Sequence, residues 1–218
     1  ERSVAAKFAD EQRKAVQKFG GDTSITEITK ADVRDFVARL RSEGYSTATM
    51  SKMLGAVKAA LSYAEYHELS ECNPAAHVTV GNKSHTESKK SSHTSPQINR
   101  RIFDALGKLK RRDDRNILLI AMYTGARIEE VVRLHTSDIF YSVDGILNIH
   151  FAGYDYEGKT ETAPRTIPAH PDLEPYVKAK LSEVTEGRIF PDEKPDQYGH
   201  YSTSADKRLN RFLKNTVR

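Results

Sequence analysis

Apolar residues recur along the first 80 positions with a helical period. In "TKADVRDFVARLRSEG", Val33, Phe36, Val37 and Leu40 follow an i, i+3, i+4, i+7 stripe, Thr29 stands at the N-cap position and Gly44 at the stop. "SVAAKFADEQRKAVQKFG" places Val4, Phe8, Val16 and Phe19 loosely on one face and ends in Gly20-Gly21. "STATMSKMLGAVKAALSYAEYHEL" carries Met50, Leu54, Val57 and Leu61 on one side, and Pro74 breaks the pattern. No strand signal interrupts this region. It is expected to form a compact helical domain over residues 1–80.

The pattern then vanishes. "GNKSHTESKKSSHTSP" has no apolar side chain besides its final proline, so it cannot bury itself and reads as an interdomain linker over residues 81–95. From residue 96 to 218 the periods mix. "SPQINRRIFDALGK" reads as a capped helix, "RRDDRNILLIAMYTG" as a buried one and "ARIEEVVRLHTSDI" as another. "DIFYSVDGILNIHF" holds two β runs around Asp144-Gly145, a hairpin signal, and "RTIPA" is a third short strand. Helices resume at "PDLEPYVKAKLSEV" and "STSADKRLNRFLKNTV". The fold class is therefore mainly α with a small antiparallel sheet.

Composition adds limits. At 218 residues the chain suits two modest domains. Cys72 is the single cysteine, which excludes a disulfide framework and a cysteine metal cluster and points to a reducing cytoplasm. No apolar run approaches the roughly 20 residues of a membrane span, and no cofactor motif stands out. The net charge is +4. Residues 1–80 carry 11 basic and 11 acidic side chains, and residues 96–218 carry 20 and 18. A DNA-binding surface would thus be a segregated basic face rather than a general field.

Two positions carry candidate chemistry. Arg127 follows a Thr124-Gly125 turn at the mouth of a helix, where free N–H groups and a permanently charged fork suit a phosphate. Glu130, three residues on, is placed to hold it by an i, i+3 contact. Lys159 sits in the polar segment "AGYDYEGKTETAP" between two expected strands, where an ammonium can reach a leaving oxygen. Taken singly, each is more often an ordinary surface residue.

Their order resembles the tyrosine recombinase (phage integrase) family. Thr124, Gly125, Arg127 and Glu130, then Leu134, Asp138 and Ile139, the turn lysine Lys159, and Arg165, Ile167 and Pro168 fall on its pattern, with "IFP" after them. "GYSTATMSKML" and the closing Asn73-Pro74 look like its core-binding domain. The resemblance implies a helical core-binding domain followed by an α+β catalytic domain. The implied enzyme cuts and rejoins DNA through a 3′-phosphotyrosine without metal or ATP, in a tetrameric synapse of protomers. Arg127 would stabilise the phosphorane and Lys159 would protonate the departing 5′-oxygen. Ser46, Thr47, Thr49, Ser51 and Lys52, at the start of a helix, and Lys83, Lys89 and Lys90, in the linker, would contact DNA. The five basic residues from Lys207 onward would either follow the DNA backbone or form a solvated helix face.

The family next expects His-x-x-Arg and a nucleophilic tyrosine. No histidine here is followed three residues later by arginine, and Tyr198 and Tyr201 come before that motif's place. With Glu1 at its start, the chain reads as a fragment that lacks half of the active site and should not cleave DNA. A non-catalytic DNA-binding protein on the same framework is the alternative. A helical protein-interaction module would leave the order of Arg127, Lys159 and "RTIP" without a reason.

Overall fold

The computed structural model describes residues 4–81, 95–151 and 164–217. The chain divides into two compact units, Arg2–Lys90 and Ser91–Arg218. Apart from Gly81 and Ser95, the expected linker lies outside the described residues, as do Lys83, Lys89, Lys90 and Lys159.

The first unit is helical: α1 (Val4–Gly20), α2 (Lys30–Ser42) and α3 (Thr47–Tyr66). α2 starts at a reciprocal cap. The Thr29 hydroxyl accepts the Asp32 N–H (3.3 Å), and the Asp32 carboxylate accepts the Thr29 N–H (2.8 Å). Gly44 ends the turn after it at φ +79°, a conformation that a Cβ would penalise. The expected stripe of Val33, Phe36, Val37 and Leu40 is buried against Met50, Leu54, Val57 and Leu61 of α3. On α1 it is Ala15 that is buried, whereas Phe8, two turns earlier on the same face, stays exposed. The segment after α3 is drawn back onto it by Asn73. Its side-chain amide donates to the Ser62 hydroxyl (2.8 Å) and its carbonyl oxygen accepts the Ala75 N–H (2.8 Å). Ala75, Val78 and Val80 then close the core.

The second unit surrounds α5 (Arg112–Thr124), whose Ile117, Leu118, Leu119 and Ile120 are all buried. Four consecutive buried positions span a helix's full circumference, so α5 must be covered on all sides. The cover includes α4 (Pro96–Ala105), α7 (Glu174–Glu183) and α8 (Thr203–Val217), which contribute Ile102, Val177, Ala205 and Leu209 to the core. α4 opens with Pro96, and the Ser95 hydroxyl turns to Gln97 rather than to a helix N–H.

A three-stranded antiparallel sheet, β1 (Ile139–Tyr141), β2 (Leu147–Phe151) and β3 (Arg165–Pro168), adds Leu147, Ile149 and Phe151 from alternate positions of its central strand. The β1–β2 turn bends at Gly145, φ +75°. The mainly α class with a small sheet is as expected.

One expected helix is much shorter. "ARIEEVVRLHTSDI" yields only α6 (Ile128–Val132) and a 3-10 turn at Thr136–Asp138. Leu134 and Thr136 leave the helix to pair with the chain at Gly187 and Ile189 (Thr136 N–H to Gly187 O, 2.8 Å; Ile189 N–H to Leu134 O, 2.9 Å). Asp138 accepts the His135 N–H at 2.8 Å. These contacts bury Ile189 and Phe190, a gain that local helix propensity cannot match.

α8 also departs from a uniformly basic helix. Arg208 turns inward and donates to both Asp114 oxygens (2.7 and 3.0 Å) and to Glu193 (2.5 Å). Both carboxylates are almost fully buried. Lys207, Arg211 and Lys214 stay exposed. Removing the shared cation leaves the buried Asp114 carboxylate without its doubly bonded partner and Glu193, among the described residues, with only the more exposed Arg111 at 3.6 Å. Arg208→Ala should therefore cost about 3–5 kcal/mol in denaturant unfolding, and Lys207→Ala should fall within about 0.5 kcal/mol of the parent chain. Equal effects would show that the inward pairing contributes nothing.

Candidate active site

α5 stops where Thr124 and Gly125 make it stop. The Thr124 hydroxyl donates back to the Ile120 carbonyl (2.6 Å) and accepts the Ala126 N–H (3.2 Å). Gly125 takes φ +66° in open space, so the residue is set by backbone conformation rather than by room for a side chain. Ala126 is buried and anchors the turn. Arg127 follows in extended conformation as the N-cap of α6.

Glu130 organises what comes next. Its carboxylate accepts the Arg127 backbone N–H (2.8 Å) and the Arg127 guanidinium (3.0 Å). The i, i+3 contact expected from the sequence is thus present. The Glu130 side chain is 2% exposed and that of Arg127 62%, so a buried anion orients a cation that faces solvent. α6 has five residues, and the N–H of its N-cap, Arg127, is taken by Glu130.

Arg165, the first residue of β3, is the member that sequence reasoning left without a role. It donates to both Glu130 oxygens (2.8 and 3.4 Å), and its guanidinium carbon lies 4.9 Å from the centroid of the Phe151 ring. Nothing in the sequence signals this: the structure places Arg165 with Ile167 on the half-buried face of the strand, and the acid it meets lies 35 positions earlier. Two guanidiniums on one carboxylate leave a net positive charge at the mouth of α6, suited to an oxyanion.

A second clamp lies on the same helix. Glu129 accepts from Arg133 (2.6 Å) and from the backbone N–H groups of Tyr201 (3.1 Å) and Ser202 (2.7 Å). The guanidinium carbons of Arg133 and Arg188 lie 4.6 and 3.5 Å from the centroid of the Tyr201 ring. Tyr201 is therefore a packing element of the loop that leads into α8. In that loop Asp196 accepts the N–H groups of Tyr198 and His200 and the Thr203 hydroxyl.

In the first unit, the Ser46 hydroxyl accepts the Thr49 N–H at 3.2 Å and pairs with the Thr49 hydroxyl at 2.9 Å. These two side chains are occupied as a helix cap. Thr47 is half-buried, and Ser51 and Lys52 are exposed on the next turn. Among the described residues, no group of three or more His, Cys, Asp or Glu is placed to hold a metal ion, and no helix is long and apolar enough to cross a membrane.

Burial by itself would raise the carboxyl pKa of Glu130, yet the hydrogen bonds from Arg165 and from Arg127 outweigh it and leave the group below its ordinary value. Glu129 is likewise lowered: burial opposes, and Arg133 with the Ser202 and Tyr201 N–H groups prevails. A depressed folded-state pKa contributes stability that is fully present above the unfolded value of about 4.3 and is lost as pH falls through the folded value. The chain should lose stability on acidification in that window. Glu130→Gln should be less stable than the parent at pH 7 and show a shallower fall, a difference that unfolding midpoints between pH 3 and 7 will measure.

Comparison with known proteins agrees with this architecture. Residues 10–68 match the model for the phage integrase N-terminal SAM-like domain. No curated protein sequence matches the chain. Among solved structures, a lambda integrase dimer bound to a COC′ core site superposes with a TM-score of 0.73 at 14% identity, covering 100% of this chain and 59% of that one. The Tn1549 transposon integrase (residues 82–397) in complex with circular intermediate DNA gives 0.66 at 16% identity, covering 99% and 75%. The XerH site-specific recombinase bound to its difH substrate gives 0.60 at 17% identity, covering 88% and 55%. The chain thus spans little more than half the length of lambda integrase and XerH. Residues 10–68 thus match the phage integrase N-terminal SAM-like domain, and the chain as a whole shares its fold with lambda integrase and the Tn1549 transposon integrase.

Proposed function

We propose that this chain is the core-binding domain and the first part of the catalytic domain of a site-specific DNA recombinase of the integrase type. The observation that carries the reading is the exposed Arg127 guanidinium, held by a buried carboxylate directly after the Thr124-Gly125 turn, behind a unit that matches the phage integrase SAM-like domain.

In this reading both units contact duplex DNA, and protomers assemble on it as a tetrameric synapse in the cytoplasm. Arg127 binds the non-bridging oxygens of the scissile phosphate. A tyrosine hydroxyl gives up its proton to solvent as its oxygen attacks phosphorus, the P–O5′ bond breaks, and the Lys159 ammonium protonates the departing 5′-oxygen. A 5′-hydroxyl from another strand then attacks the phosphotyrosine and restores the phosphodiester. Phosphodiester bond energy is conserved in the phosphotyrosine, so ATP is not required, and side-chain cations take the place of a metal. Arg127 supplies charge stabilisation and Lys159 acid catalysis. The nucleophile and the His-x-x-Arg motif are assigned outside these 218 residues, which then bind DNA without cutting it. The packing of Tyr201 against Arg133 and Arg188 supports that assignment. Contacts from Lys83, Lys89, Lys90, Ser51 and Lys52 supply affinity that is independent of base sequence.

The chain should bind duplex DNA with a log-affinity that falls against log salt by about 0.9 per phosphate contact. A flat salt dependence would sink the reading. In the protein that also carries the tyrosine, Arg127→Ala should slow cleavage by about 10²–10³-fold and Lys159→Ala by roughly 10²–10⁴-fold. A substrate with a 5′-bridging sulfur has a leaving group that needs no acid, so it should rescue Lys159→Ala and not Arg127→Ala. Absence of any cleavage in that longer protein would favour a purely DNA-binding role on the same framework.

A further inference from the structure

We propose that Arg165 is a positioning residue for Arg127, acting through Glu130, and that it makes no phosphate contact of its own. The inference rests on the recombinase reading for its DNA readout and on geometry alone for its mechanism.

The two arginines use Glu130 differently. Arg127 spends its backbone N–H and one guanidinium nitrogen on the carboxylate, and its side chain is 62% exposed. Arg165 spends two guanidinium nitrogens on both carboxylate oxygens and is 31% exposed. Its direction is set by the sheet. Arg165 pairs in register with Phe151, whose buried ring lies beneath the guanidinium. The planar fork of Arg165 is thus turned to the carboxylate, whereas that of Arg127 is turned to solvent.

A carboxylate this buried stays charged only when it is well compensated. Arg127 alone is a solvent-screened partner. Arg165 is the less exposed and doubly bonded one. Without it, Glu130 would take up a proton more readily, and Arg127 would lose the anion that holds its rotamer. Among the described residues, the groups facing the Glu130 carboxylate are Arg127, from the turn before α6, and Arg165, from β3. Glu129, its neighbour in α6, is engaged elsewhere with Arg133, Tyr201 and Ser202. β3 also begins six residues after Lys159, so the same bond ties the strand that follows the lysine segment to the helix that follows the arginine.

The test uses the 218-residue chain with ¹³C-labelled glutamate. The Glu130 carboxyl titration is followed by NMR in the parent, Arg165→Ala and Arg165→Lys, without DNA. DNA affinity is then measured against pH and salt, with Arg127→Ala alongside. Arg165→Ala should move the Glu130 midpoint upward. Its DNA affinity should drop below that new midpoint and recover above it, where the salt slope should equal the parent's. Arg165→Lys, which keeps the charge without the fork, should lie between. Arg127→Ala should lose about 0.9 of salt slope at every pH. An unmoved Glu130 midpoint in Arg165→Lys and Arg165→Ala overturns the proposal. So does an Arg165→Ala variant that loses one contact's slope at all pH values, since Arg165 would then touch phosphate itself. Failure of the parent chain to bind DNA would overturn the recombinase reading, and the titration would still decide the positioning role.

Discussion

The arrangement of the second unit turns on a single desolvated anion. Glu130 gathers the Arg127 N–H, the Arg127 guanidinium and the Arg165 fork onto two oxygens. These donors come from a turn and a strand that are far apart in the chain. An anion buried to this degree tolerates no vacant partner, so the end of α5, the start of α6 and the head of β3 are held to one geometry. The same arithmetic of charge, two cations on one anion, leaves the cluster positive at the surface where Arg127 emerges.

Acids recur as organisers, buried at Glu130 and Asp138 and exposed at Asp32. Asp32, Glu130 and Asp138 each accept the backbone N–H three residues earlier and so close the first turn of a helix. Glu129 secures the loop before α8 by accepting two of its N–H groups, and Asp114 with Glu193 draws Arg208 inward. This sorting divides the 34 basic side chains of a chain of net charge +4. Part of the basic set is consumed by internal acids. Others, including Lys52, Lys207, Arg211 and Lys214, are left facing solvent.

The first unit is held by different means. Its core is a conventional apolar stripe contact between α2 and α3. Its polar anchors are uncharged or single: Asn73 folds the tail onto α3, and the Arg41 guanidinium donates to the Val80 carbonyl at 2.6 Å. The Asn73-Pro74 pair thus has a structural task, to turn the chain back so that Ala75, Val78 and Val80 complete the core.

Periodicity alone determined most of the helices, the three strands and their hairpin, because amphipathic spacing and turn glycines are local properties. Gly125 and the Arg127–Glu130 pair were readable for the same reason, being fixed within seven residues. The early end of α6 was not readable. It depends on strand-like pairing with the chain at Gly187 and Ile189, more than 50 positions away, and that pairing outweighs a helical pattern that continues in the sequence. Arg165 and Arg208 were not readable either. Each looks like an ordinary surface base until folding sets a buried carboxylate beside it. Which arginines face inward was therefore decided by tertiary structure, since a side chain's charge is local but the burial of its partner is not.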